Sequence, residues 1–240
     1  MRLRELRSRA SVALRRRIPG GRALQRRLVR EDLRDLRRVE PVSTAFGFDR
    51  GTPIDRRYIE RFLGENAGAI SGRVLEVGDS RYADVLGSAS SVDVLHPEPG
   101  RGVTVVGDLE TGAGIPTGAY DCIVATQVLN HIFDVATAVT ALYRALAPGG
   151  ILLVTAPGIS PTSDFDDARW GDHWRFTGSS LRRLFATTLA ASDFTVQTYG
   201  NVLAASAFLY GLAAEELTDA ELAAHDPRYP VIVAVSARRA

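Results

Sequence analysis

The sequence predicts an α/β protein: a doubly wound sheet of about seven mostly parallel strands with helices on both faces, behind a helical N-terminal arm. Three observations predict it. From about residue 72, short apolar runs alternate with stretches of helical periodicity. The central runs are apolar at nearly every position, as in strands covered on both faces. A chain of 240 residues that is 45% hydrophobic and 24% charged can bury one large core.

The elements follow in order. "LRELRSRASVALRRRI" and "ALQRRLVREDLRDLRRV" carry Leu at helical spacing on either side of Pro19-Gly20-Gly21, and predict two basic amphipathic helices in an arm over residues 1–40. Residues 41–240 form the second domain. In it "GRVLEVG" is the first strand and "RYADVLG" a short helix. "SVDVLH" and "GVTVVGD" are the second and third strands, and "AYDCIVATQV" is the fourth. A helix then runs from Asp134, a natural N-cap, to Ala147, where "APGG" ends it. "GILLVTAPG" is the fifth strand, and a loop over 157–177 leads to the helix "SLRRLFATTLA" and the strand "DFTVQTYG". A helical insertion occupies about 201–228, and "PVIVAVSAR" is the last strand.

The charge is uneven. Residues 1–38 hold 14 Arg against four acids, whereas the whole chain has a net charge of only +1 and no Lys. Such an arm suits peripheral contact with an anionic membrane or an acidic partner, or is a solvated face. No nucleic-acid motif accompanies it, so a nucleic-acid partner is not expected. The basic start lacks the apolar core of a signal peptide, and no apolar run reaches membrane-spanning length. The one cysteine, Cys122, lies in an apolar run and reads as an inert core residue. The expected location is cytoplasmic.

Ligands of such sheets sit at the carboxyl ends of the strands. Glu76 and Gly78 end the first strand, and Asp93 lies in the second, at a distance where an acid reaches ribose hydroxyls. Asp108 closes the third strand, placed to accept from an adenine amine, and Thr126-Gln127 end the fourth. An acid at a strand end is, taken alone, more often a cap or turn residue. The loop "VGDSRYA" has Ser80 and Tyr82 where a dinucleotide fold places its second and third glycines. A pyrophosphate needs those glycines, whereas a ligand without phosphate does not.

The segments "VLEVGD", "VDVLH", "VVGDLE", "YDCIVATQVLNHIFD" and "RALAPGGILLVTAPG" resemble the class I S-adenosylmethionine-dependent methyltransferases, which have a Rossmann-like fold, and within them the type 11 group. "RGTPIDRRYIERFL", "LEVGDSRYA" and "WGDHWRFT" are similar to a bacterial subgroup that accompanies sugar and secondary-metabolite biosynthesis. The resemblance implies S-adenosylmethionine as cofactor and S-adenosylhomocysteine as product. It places Glu76 at the methionine end, Gly78 and Asp79 at the cofactor backbone, and Asp93 at the ribose. Asp108 and Leu109 fall at the adenine, and Gln127 beside the sulfonium.

A hydroxyl acceptor must lose a proton, and His131 and His173 are the candidate bases, each with a structural alternative. Trp170 and Trp174, with Arg175 beside them, are candidate substrate contacts; the indoles either stack on a sugar or pin their loop. The acids of "SDFDDARWGDHW" suit Mg²⁺ in some sugar methyltransferases, but a solvated loop is favoured and no metal residue is assigned. "TQVL" stands where base-amine methyltransferases carry N/D-P-P-Y/F, which argues against a nucleic-acid amine. The expected function is methyl transfer to a small-molecule hydroxyl on a sugar or sugar-bearing metabolite, with a homo-oligomer left open. The alternative is a catalytically silent partner of a glycosyltransferase or biosynthetic enzyme, docking through the arm.

Overall fold

The computed structural model describes residues 37–240, and the two helices expected in the Arg-rich arm fall almost wholly outside them. Pro41–Ala240 form one unit around a seven-stranded sheet. Its strands are β1 (Ser71–Val77), β2 (Ser88–His96), β3 (Val105–Val106), β4 (Tyr120–Thr126), β5 (Leu146–Pro157), β6 (Phe194–Tyr199) and β7 (Ile232–Arg238). They lie in the order β3-β2-β1-β4-β5-β7-β6. The pairs from β3 through β5 are parallel, and β7 runs antiparallel to both its neighbours. The expected third strand shrinks to two residues, because Gly107 and the turn after it close the segment early.

Seven helices of the described residues complete the unit: α1 (Ile54–Glu65), α2 (Arg81–Leu86), α3 (Val135–Ala145), α4 (Asp164–Trp170), α5 (Gly178–Phe185), α6 (Val202–Leu209) and α7 (Asp219–Ala223). Strand alternation divides the core into two layers. Leu75, Ile123, Leu152 and Val233 face the layer of α3 and α5, and Val74, Cys122, Leu153 and Ile232 face the layer of α1 and α6. Cys122 is fully buried, and desolvation pushes its thiol up to about 12, so it is an unreactive core group.

Two elements differ from the sequence expectation. Pro53 starts α1, whose Ile54, Tyr58, Ile59, Phe62 and Leu63 make one buried stripe; no helix had been assigned there. The 157–177 segment, read as a loop, contains α4, whose N-terminus is capped by Ser163 accepting from the Asp166 amide at 3.2 Å. The expected insertion is two short helices, α6 and α7, joined by a 3₁₀ turn. In α3, Asp134 caps as expected, accepting from the Thr137 amide at 3.1 Å, and the helix ends at Ala145.

Candidate functional site

The strand order reverses between β1 and β4, so the chain leaves these strands in opposite directions and opens a crevice at their carboxyl ends. A cavity of about 570 Å³ fills it. Gly78, directly after β1, has φ +98°, and a Cβ built on it would meet nothing within 4 Å. Glycine is required there by the left-handed backbone, and the missing side chain leaves an open cradle on the cavity. On the opposite lip, directly after β4, Gln127 holds φ +55°, a strained value for a residue with a Cβ. Its amide N–H donates to the Thr155 carbonyl at 2.8 Å and its side-chain amide donates to Thr155 Oγ1 at 3.3 Å, which fix it against β5.

Gly78, Asp79, Asp108, Leu109, Gln127, His131 and Trp170 all line this cavity. The Asp108 carboxylate also accepts from the Glu110 amide and the Thr111 hydroxyl, both at 2.8 Å, which shapes the turn after β3. Two expected cofactor residues do not line it. Glu76 is 1% exposed and accepts from the amides of Tyr82 and Ala83 at 2.8–3.2 Å, so its carboxylate closes the first turn of α2. Burial pushes its pKa up to about 7 despite those two donors. Asp93 lies three residues before the end of β2. Arg73 on β1 stands opposite Ser91 and reaches diagonally to the Asp93 carboxylate at 2.8 Å, while Thr104 Oγ1 donates to it at 2.9 Å. Burial opposes ionisation of Asp93, but these donors hold it below the ordinary range. The residue that does end β2 on the cavity is His96.

A second cavity of about 200 Å³ adjoins the first. Asp55, Arg56, Gln127, His131 and Asp166 line both and form the seam between them. Asp55, in the first turn of α1, accepts from the Arg56 amide at 2.7 Å, and desolvation pushes its carboxyl up to about 6. The Arg56 guanidinium lies over the Phe48 ring and donates to the Tyr82 hydroxyl at 3.3 Å; its buried Nε has no partner.

Behind the seam, Asp172 ties the wall together. Its carboxylate takes a bidentate pair of hydrogen bonds from Arg175 at 2.7 Å, one from Asn130 Nδ2 at 3.0 Å and one from the Ser163 amide at 3.2 Å. Burial opposes its ionisation, yet these donors hold it at about 2. Arg175 therefore lines the second cavity with its charge already matched. His131 Nδ1 is 2.6 Å from the Gly171 carbonyl, which requires the proton on Nδ1. Nε2 then accepts from Asn130 at 3.1 Å, so both ring nitrogens are engaged. His173 is exposed, lines neither cavity, and sets its ring edge-on to Phe133. Trp174 is also outside both cavities, its Nε1 donating to the Ile132 carbonyl at 3.1 Å.

The acids of the 164–172 segment have separate duties: Asp167 accepts from the Asp172 amide, and Asp172 holds Arg175. Among the described residues no group of three His, Cys, Asp or Glu side chains is arranged to hold a metal, and no helix is long and apolar enough to cross a membrane. Sequence reasoning passed over Asp55, Arg56 and Asn130, and weighed Asp166 only as one acid of a candidate metal cluster. The signal for the first two stood in "GTPIDRRYIERF", where Pro and Asp announce a helix start and so gave no reason to seek chemistry.

Residues 53–188 match the family model described as a methyltransferase domain. No curated protein matches the chain in sequence. Among solved structures, a chain of the complex between the Haloferax volcanii Trm112 methyltransferase activator and a methyltransferase aligns with TM-score 0.50 and 14% identity, over 77% of this chain and 90% of that one. An S-adenosylmethionine-dependent methyltransferase from Archaeoglobus fulgidus aligns with TM-score 0.50 and 12% identity, over 77% and 94%. A phosphoethanolamine N-methyltransferase from Haemonchus contortus, solved with phosphomonomethylethanolamine and S-adenosylhomocysteine, aligns with TM-score 0.50 and 15% identity, over 84% and 54%. At these identities the likeness is one of fold. The family match covers more than half of the sequence, and with the strand order it leads to one conclusion: the chain belongs to the methyltransferase-domain family, as a class I S-adenosylmethionine-dependent enzyme.

Proposed function

We propose that this enzyme methylates a hydroxyl of a small-molecule acceptor, a sugar or sugar-bearing metabolite, with S-adenosylmethionine in the larger cavity and the acceptor in the smaller. The observation that carries the reading is the pair of cavities meeting at one seam. The larger has the volume of a cofactor site, and its features fit S-adenosylmethionine. The open face of Gly78 admits close approach of a ligand to the backbone, and the partnerless Arg56 Nε suits a carboxylate. Asp79 lies beside Gly78 for the ligand's amine, Asp108 and Leu109 flank the adenine position, and Gln127 sits at the seam. His96 takes the ribose end in place of Asp93.

S-Adenosylmethionine supplies an electrophilic methyl group on a sulfonium. The residues of this chain must then bring the acceptor to the seam, exclude water and receive the hydroxyl proton. Asp55 is the group placed to receive it. It lies on the seam with its carboxyl pushed up to about 6, so it is a stronger base than an ordinary carboxylate and still ionised at pH 7. His131 acts as a wall and His173 stands aside. A location in the cytoplasm accords with a small-molecule acceptor.

Titration calorimetry of the full chain with S-adenosylhomocysteine tests the cofactor assignment. One equivalent bound, with affinity reduced at least tenfold in Arg56→Ala, is expected; a folded protein that binds none would overturn it.

A further inference from the structure

Two residues of the smaller cavity carry a buried polar atom without a partner, Arg56 at Nε and Asn130 at Oδ1. Asn130 is 6% exposed and lines this cavity. Its Nδ2 is committed twice, to Asp172 Oδ1 at 3.0 Å and to His131 Nε2 at 3.1 Å. Those two acceptors fix which end of the amide is nitrogen, since the opposite orientation would set Oδ1 against the Asp172 carboxylate. The remaining atom, Oδ1, is buried and has no hydrogen-bond partner. A buried amide oxygen without a donor has lost its water and gained nothing in return, a cost that a ligand N–H or O–H would recover. Asn130 is also rigid, because the Asp172–Arg175 pair holds its nitrogen from behind.

The charges around it select the ligand. Arg175 is neutralised by Asp172, whereas Arg56, over the Phe48 ring and hydrogen-bonded to the Tyr82 hydroxyl, lines both cavities without an ion pair among the described residues. Asp55 and Asp166 remain, and neither makes an ion pair among the described residues. An anionic group entering here meets two carboxylates against one guanidinium, that of Arg56, which the reading above gives to the cofactor's carboxylate. Phe46, Phe48 and Phe208 line the same cavity and supply apolar surface suited to the C–H face of a ring.

We infer that the smaller cavity is a chamber for an uncharged, hydroxyl-bearing ring, that Asn130 Oδ1 accepts a hydrogen bond from one of its hydroxyls, and that the same ring bearing a carboxylate is rejected. This deepens the functional reading above and rests on it for the identity of the larger cavity's occupant. Glucose and glucuronate are the probes, identical but for one carboxylate. Their binding to the full chain is read by saturation-transfer NMR, with and without S-adenosylhomocysteine. Glucose is expected to bind at least tenfold more tightly than glucuronate, and Asp166→Asn to narrow that gap. Asn130→Leu should weaken glucose at least tenfold while S-adenosylhomocysteine affinity stays within about twofold. The glucose–glucuronate comparison uses the unaltered protein, so it stands even if a variant folds poorly. Glucuronate binding as tightly as glucose, neither sugar binding, or a folded Asn130→Leu that binds glucose normally would overturn the inference. Retained sugar selectivity without any S-adenosylhomocysteine binding would instead overturn the cofactor reading alone.

Discussion

Asp55 and Asp93 are two carboxylates whose roles depend on what surrounds them. Asp55 faces both cavities with no cation bound to it, whereas Asp93 is held by Arg73 and Thr104. Asp55→Asn should keep S-adenosylhomocysteine affinity within about threefold and lower methyl transfer roughly 10²–10⁴-fold. Because the base works ionised, turnover of the unaltered enzyme should fall as pH drops through about 6, and that limb should vanish in the variant. Asp93→Ala should leave cofactor affinity within about threefold and cost about 1 kcal/mol of stability, the scale of a partly exposed ion pair, read as a lower urea midpoint. A large loss of cofactor affinity would restore Asp93 to the ribose. The spacing from Gly78 made Asp93 legible as a site residue, but spacing along a strand does not say which residue ends it. Here the edge falls at His96. Asn130 was illegible for a different reason: its significance lies in a missing partner, which no single sequence displays.

The segment between β5 and α5 works as one element. Ser163 starts α4, Asp172 accepts from the Ser163 amide, and Arg175 returns to the carbonyls of Ser160 and Pro161. The chain thus closes on itself around one ion pair whose carboxylate is 3% exposed. Asp172→Ala would leave Arg175 and Asn130 without that acceptor, and about 3 kcal/mol of stability should be lost in urea unfolding. The acceptor chamber should loosen with it, so sugar binding falls further than cofactor binding. The strands are easy to read because the centres of β4 and β5, residues 122–125 and 151–154, are continuous apolar runs covered on both faces. α4 is not, since it has no buried residue and its run of acids looks like a wetted loop. Only the Ser163 cap and the acidic first turn marked it.

Across the whole molecule, Glu76 gives folding a pH dependence opposite to that of most acids. Its carboxyl titrates near 4.5 when unfolded and at about 7 when folded, so between those values the folded state binds the proton more tightly. Stability from this group is full below about pH 4.5 and falls as pH rises toward 7, by up to ~3 kcal/mol. Glu76→Gln should flatten the decline of urea midpoint between pH 5 and 7.5. The opposite slope belongs to Asp172 and to Glu216, whose carboxylate takes hydrogen bonds from Arg50; both are held at about 2, and their stabilisation is lost only in stronger acid.

The position of β7 has a further consequence, in the order of events as the chain is made. β7 enters between β5 and β6, and it alone pairs with β6. A nascent chain synthesised as far as residue 231 therefore has every other strand and no way to seat β6. It carries two raw sheet edges, one on each side of the gap. Closure must wait for residues 232–238, of which five are buried Ile, Val and Ala. A stalled or truncated chain would present that gap to any passing apolar strand, so this enzyme is most vulnerable to aggregation just before its sheet is complete.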